Sequence, residues 1–306
     1  MNDKRNSNQT SEIDFLSDSL FQRSVKKTRW KQFGLYTLIS IVTVIIFIFT
    51  IHLGTEYLLH KKIQAADNQQ QQKFVSDRLL KGAGFTNRST RYHYNIFSVE
   101  GETIYYKRIG NRQFVWDTKT KKYPAIGKVE IIDRGSGMTE INQMDEDAKR
   151  VVRYNQLNNE RIIDFYYPNI RYNFLPQELD IATGLDENTL IEVAISFNEP
   201  MTLSDLGEVL GYKNVDWLWV NSKTKKQMEK INGMQDADSD SIKVLNGDNA
   251  YGFVVSEEYP YSYSDLPNEN TTISGAVISG TPQELERFLN LDIIRASVIG
   301  VTIDKY

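Results

Sequence analysis

Three histidines, no cysteine and a few short runs of acidic residues are what this 306-residue chain offers for chemistry. His52 and His60 flank the end of an apolar run, which leaves His93 as the one imidazole in the main body of the sequence. A Ser-His-Asp mechanism would have to route all its proton transfer through that residue. His93 sits in an alternating aromatic stretch, where a packed or half-exposed side chain is expected, and no G-x-S-x-G accompanies it. Asp236, Asp238 and Asp240 superficially resemble a calcium loop, but they lack the central glycine and the closing glutamate that wrap the ion. Glu257 and Glu258 are adjacent, and adjacency does not supply the defined separation that glycoside chemistry needs across a sugar. There is no P-loop and no G-x-G-x-x-G. No catalytic residue, cofactor site or metal site is therefore assigned, and the chain is expected not to be an enzyme.

The elements that would position any site begin with a membrane segment. Phe33 to Leu53 contains no Asp, Glu, Lys or Arg, and as a helix it reaches about 30 Å, the thickness of a hydrocarbon core. Arg23, Lys26, Lys27, Arg29 and Lys31 precede it, whereas the far flank is nearly balanced, with Glu56, Lys61, Lys62 and Asp67. The Lys/Arg bias places residues 1–32 in the cytoplasm and residues 54–306 outside the cell. The run is too long for the apolar core of a cleaved signal peptide and lacks small residues at a cleavage site, so a retained single-pass anchor is expected. An exported body without disulfides must be held together by core burial. Its acidic balance, with a net charge of −4 for the chain, gives no reason to expect a direct nucleic-acid partner.

In the cytoplasmic arm, Phe15, Leu16, Leu20 and Phe21 fall at spacings close to one helical face. They form either an amphipathic patch on the inner leaflet or a docking helix for a cytoplasmic partner. Beyond the span, residues 54–84 read as a helical stalk closed by Gly82 and Gly84. Residues 85–145 read as β-rich: the aromatic alternation from Tyr92 to Trp116 predicts antiparallel strands with breaks at Glu100-Gly101 and Gly110-Asn111, then a strand over 128–133 and a loop over 134–143. A further strand is expected over 160–168. The aromatic stripes, Trp217 and Trp219 included, read mostly as cross-strand packing, with a minority available to line a groove.

The clearest pattern is a repeat. Residues 189–197, 202–211 and 215–220 read as strand, helix, strand; residues 271–280, 281–290 and 296–303 read the same way. Each helix opens on Thr-x-x-acid, Thr202 with Asp205 and Thr281 with Glu284, the spacing of a reciprocal N-terminal cap. The fold class expected is α+β: a single-pass anchor, antiparallel strands, and two β-α-β units in one sheet with both helices on one face. A ferredoxin-like domain is the template, interrupted by a long insertion over 221–270.

Residues 20–59, together with "NTLIEVAISFNEPMTLSDLGEVL", "VDWLWV" and "ISGAVISGTPQELERFLNLDIIRASVIGVTID", resemble the sigma factor regulator proteins of Gram-positive bacteria. These combine an N-terminal membrane-anchor region with a C-terminal domain, here residues 146–306. The resemblance implies an anti-sigma factor, or its accessory, acting on an extracytoplasmic-function sigma factor. It implies a sigma factor or a second membrane regulator as the cytoplasmic partner, contacted through Phe15, Leu16, Leu20 and Phe21. It also implies an envelope ligand outside, and a homodimer is compatible with it. With no His or Cys in the arm, a zinc-binding helix bundle is excluded. The alternative reading is an anchored module that binds or processes cell-wall polymer.

Overall fold

The computed structural model describes residues 19–77, 80–135, 137–141, 151–234, 241–255 and 272–306. The chain divides after Leu58 into two compact units. Helix α1 covers Ser19–Asp77. It contains one stretch long and apolar enough to cross a membrane, with none of its most apolar window buried against protein. Phe33, Ile45, Phe47 and Leu53 all expose their side chains, as a lipid-facing helix requires.

The second unit holds the last turns of α1 and all the strands. In chain order these are β1 (Leu80–Lys81), β2 (Phe85–Tyr94), β3 (Ser98–Ile109), β4 (Arg112–Pro124), β5 (Glu130–Asp133), β6 (Met138–Ile141), β7 (Val152–Asn155), β8 (Arg161–Ile162) and β9 (Asp164–Phe165). Then come α2 (Leu179–Thr183), β10 (Thr189–Met201), α3 (Leu203–Leu210), β11 (Val215–Val220), α4 (Lys225–Asn232), β12 (Leu245–Asn246), β13 (Tyr251–Val254), β14 (Ile273–Gly280), α5 (Pro282–Leu285) and β15 (Ile294–Asp304).

The principal sheet has six antiparallel strands in the order β1-β13-β11-β14-β10-β15. Its last four members in that order, β11, β14, β10 and β15, are the strands of the two predicted β-α-β units. The last strand of each unit pairs with the first strand of the other, β11 with β14 and β15 with β10, which interleaves the units as in a split β-α-β arrangement. Strands β10, β11 and β14 are buried on both faces, so they read as continuous apolar runs. One face carries Leu203, Leu206 and Leu210 of α3 with Leu285 of α5 and Phe288 just beyond it, packed on Ile191, Val193, Leu218 and Ile278. Each fully buried leucine contributes about 1.5–3 kcal/mol. The opposite face packs Trp217, Trp219, Ala194 and Val277 against Phe165, Tyr166 and Tyr167. Phe165 stacks on Trp219 at 4.9 Å between ring centroids. Trp217 and Trp219 are thus core residues and line no groove.

Both helices start at the expected threonine, but only the second forms the reciprocal cap. Thr202 Oγ1 accepts from the Asp205 amide at 3.3 Å, and the Thr281 amide donates to Glu284 Oε2 at 2.9 Å. The second helix is shorter than its pattern predicts: it is α-helical only to Leu285 and continues as a 3-10 turn over Glu286–Phe288.

A second sheet, in the order β2-β3-β4-β5, forms a meander beside the main one. The turn at Gly110-Asn111 is where the sequence puts it, but Glu100-Gly101 lies inside β3, and the first turn is at residues 95–97. Gly101 serves packing rather than turning. A Cβ there would sit 3.0 Å from the Tyr92 ring and 3.2 Å from the Tyr123 ring, which meet over it edge to face. Part of the predicted 134–143 loop is a strand: β6 pairs with β7 and, through it, with β8. The predicted 160–168 strand is split into β8 and β9, which join different sheets.

Candidate functional site

Two groups of polar residues stand out where the meander meets the principal sheet. The first is a buried charge cluster. Lys107 on β3 and Glu192 on β10 are 0% and 1% exposed, with Nζ 2.9 and 3.1 Å from the two carboxylate oxygens. Lys107 Nζ also lies 3.9 Å from the centroid of the Trp116 ring, a cation–π contact. Trp116 Nε1 donates to Asp248 Oδ1 at 3.2 Å, and the Glu192 carboxylate accepts from the Val301 amide at 3.3 Å. Gly300 makes room for that carboxylate: a Cβ there would collide with Glu192 Oε2. Asp248 and Glu160 both have raised pKa values, chiefly because burial disfavours their charged forms, and the nearby Glu192 charge adds to the rise. One lysine therefore serves several carboxyl groups. The cluster locks β3 of the meander to β10 of the principal sheet.

The second group lines a cleft of about 890 Å³. Its floor is the β11–β14 pair, its rim the β3–β4 turn, and among its lining residues are Arg108, Gly110, Asn214, Asp216, Val255, Ser279 and Lys305. Asp216 is the fixed point. It lies on the all-buried strand β11, 7% exposed, and its carboxylate accepts a short hydrogen bond from the Ser279 hydroxyl. Burial pushes its pKa up to about 6, against the Ser279 hydrogen bond and the Arg108 charge, which pull it down. Ser279 Oγ also accepts from the Gly110 amide at 2.7 Å, tying the meander turn to the cleft floor.

Asn214, in the left-handed region at φ 59°, bonds Ser279 in both directions: its side-chain Nδ2 donates to the Ser279 carbonyl at 2.9 Å, and its main-chain carbonyl accepts from the Ser279 amide at 3.0 Å. That leaves two buried side-chain atoms of the lining without a partner among the described residues, Asn214 Oδ1 and Arg108 Nε, one acceptor and one donor. Buried polar atoms are ordinarily paired, so these two are the lining's points of polar contact. With Lys213 and Lys305 at its edge, the cleft can hold a small polar group. His93 lies exposed on β2, paired across the strands with Glu100, and takes no part.

Sequence reasoning found neither group. Their signals were a lone acid inside each of two apolar strands, Glu192 in "TLIEVAISF" and Asp216 in "VDWLWV". Of the predicted contact residues, Phe15 and Leu16 lie outside the described residues. Leu20 falls in the first turn of α1, and Phe21 follows it, 45% exposed. The acidic runs 236–240 and 257–258 also lie outside the described residues. Among the described residues, no three His, Asp or Glu side chains gather as a metal cage.

Residues 183–272 match the model of the family described as sigma factor regulator C-terminal, the family whose motifs these strands resemble. The matched segment supplies β10, α3, β11 and β13, and with them Asp216, Asn214 and Val255 of the cleft. No curated protein and no solved structure matches the chain.

Proposed function

We propose that the chain is a membrane-anchored regulator of an extracytoplasmic-function sigma factor, either an anti-sigma factor or the accessory of one, that couples an envelope signal to transcription. The observation that carries this reading is a pairing within one chain: a sigma factor regulator C-terminal match over residues 183–272 and one apolar helix able to cross a membrane. The basic flank Arg23–Lys31 supports a cytoplasmic N-terminus. In this reading Phe15, Leu16, Leu20 and Phe21 contact the sigma factor or a second membrane regulator, and the body beyond the span controls the contact. So short an arm would bind with roughly micromolar affinity by itself, so a dimer or a second membrane protein would raise the effective concentration. The cleft around Asp216 supports a ligand-responsive body, because two of its buried polar atoms have no partner among the described residues.

The test replaces Phe15, Leu16, Leu20 and Phe21 with Ser and leaves the basic cluster intact. Membrane insertion should survive, and repression of the cognate regulon should fall. Unchanged output in this variant, with altered output on deletion of the whole gene, would reduce the arm to an anchor. The cleft equally favours the second reading, an anchored wall-polymer module. That reading requires a deletion phenotype in the wall with no change in sigma-dependent transcription.

A further inference from the structure

The far end of the meander from the cleft carries an apolar tip. The β2–β3 turn (95–97) and the β4–β5 turn (125–129) are bonded to each other, the Ala125 amide donating to the Phe97 carbonyl at 2.9 Å. Ile96, Phe97 and Ile126 are 70%, 61% and 87% exposed, and Tyr94 and Val129 beside them are also exposed. Residues 94–98 and 124–129 contain no Asp or Glu, and the nearest acids, Glu100 and Glu130, stand within the strands behind. Two bonded turns presenting this many large apolar side chains form a patch of the kind that marks an interaction site.

The contacts of α1 say which way the tip faces. Tyr92 Oη donates to Asp67 at 3.0 Å, and the Tyr94 ring lies 6.0 Å from that of His60. Lys62 Nζ donates to the Gly127 carbonyl at 2.9 Å. Following β2 toward its turn, the partner on the helix thus moves from Asp67 back to His60. The tip lies at the end of Leu59–Asp67 from which the chain continues to the span. Lys62, bonded to the tip, is only nine residues after Leu53, so the chain tethers the tip close to the end of the apolar stretch. Lys62, bonded to the β4–β5 turn, its chain neighbour Lys61 and Lys128 within the turn put three positive charges at this end of the unit.

The geometry points to a lipid surface as the occupant: Ile96, Phe97 and Ile126 dip into the headgroup region of the membrane that α1 crosses, with the three lysines against anionic lipid. Aromatic and aliphatic wedges beside lysines are the chemistry that such an interface takes up. The inference rests on the span being a span, not on any role toward a sigma factor, and it holds for either orientation of the chain.

The chain has no cysteine, so single labels are clean. The full-length protein, reconstituted into vesicles containing anionic lipid, is labelled with a fluorophore in four separate variants: Ile126→Cys, Phe97→Cys, Ile45→Cys in the span, and Val209→Cys on α3. Lipids brominated in the upper acyl chain should quench positions 126 and 97 about twofold or more, and leave position 209 nearly unaffected. Replacing Lys61 and Lys128 with Gln should weaken the quenching at 126 without changing that at 45. A quenched label at 45 with a water-exposed label at 126 overturns the tip contact alone. An unquenched label at 45 overturns the span and the contact together. A label at 126 that is shielded from water but unquenched by lipid assigns the tip to a second copy of the chain and overturns the proposal. Equal quenching at 209 makes the contact non-specific, which also overturns it.

Discussion

Lys107 and Glu192 show how much a single buried pair can decide. Both are fully desolvated and each satisfies the other, so removing one charge strands its partner, at a cost of about 3–5 kcal/mol. Glu192→Gln should therefore destabilise the body by that order, whereas the double variant Lys107→Met, Glu192→Met should recover most of the loss. Urea unfolding in detergent, followed by the fluorescence of the buried tryptophans, reads this out; a double variant as weak as the single would show that the pair is not what joins β3 to β10. Asp216 gives a signed pH dependence. Burial raises its pKa to about 6 in the fold from an ordinary value of 3.8, so the folded state binds the extra proton, and stability present at low pH is lost as pH rises through about 4 to 6. The loss amounts to about 3 kcal/mol from this group. Asp216→Asn should flatten the fall, and a variant with the parent's slope would rule out Asp216 as its source. Neither residue could be placed from sequence beyond noting an acid in an apolar run. Their partners, Lys107 and Ser279, are 85 and 63 residues away, and pairing over such distances is decided by tertiary packing.

At the scale of elements, local signals were reliable where periodicity, caps and burial agreed. Strands β10, β11, β14 and β15 are continuous apolar runs bounded by turns and caps, and all four formed. Thr281→Ala and Thr202→Ala test the caps: the Thr281 hydroxyl meets Glu284 Oε2 at 3.2 Å, and the Thr202 hydroxyl meets Asp205 Oδ2 at 2.8 Å and accepts from the Asp205 amide at 3.3 Å. Losing either hydroxyl should cost about 1 kcal/mol, measured as a shift in the urea midpoint, and Thr281→Ala should cost no more than Thr202→Ala because the Thr281 amide keeps its bond to Glu284 at 2.9 Å. A clearly larger cost at Thr281 would overturn that order. Misreadings fell where a residue serves two purposes. Gly101 looks like a turn and is instead a gap for two tyrosine rings. Met138–Ile141 looks like a polar loop and becomes a strand because Val152–Asn155, well along the chain, offers it an edge. The truncation of α5 to one turn has a similar origin, since Phe288 is drawn down onto the sheet.

For the whole molecule, topology is the first expectation to check. Protease added to intact protoplasts should degrade the chain beyond residue 60 and spare the arm, and protection of the body would reverse the orientation. The strand order carries a second expectation. Strands β10 and β11 lie on either side of β14 and do not touch, and β14 begins at Ile273, just after the matched segment ends. A chain stopped at residue 272 should therefore show no cooperative unfolding transition, although it contains the entire match. A cooperative transition would mean the sheet can close without its central strand. This interleaving also sets a clock. If the body is exported, everything up to the insertion reaches the far side before its central strand does, and β10 and β11 have no strand to join them until the last thirty-odd residues arrive. Until then the exposed apolar runs of β10 and β11 depend on whatever shields nascent segments at the membrane surface, and the protein becomes competent only once its C-terminus is through.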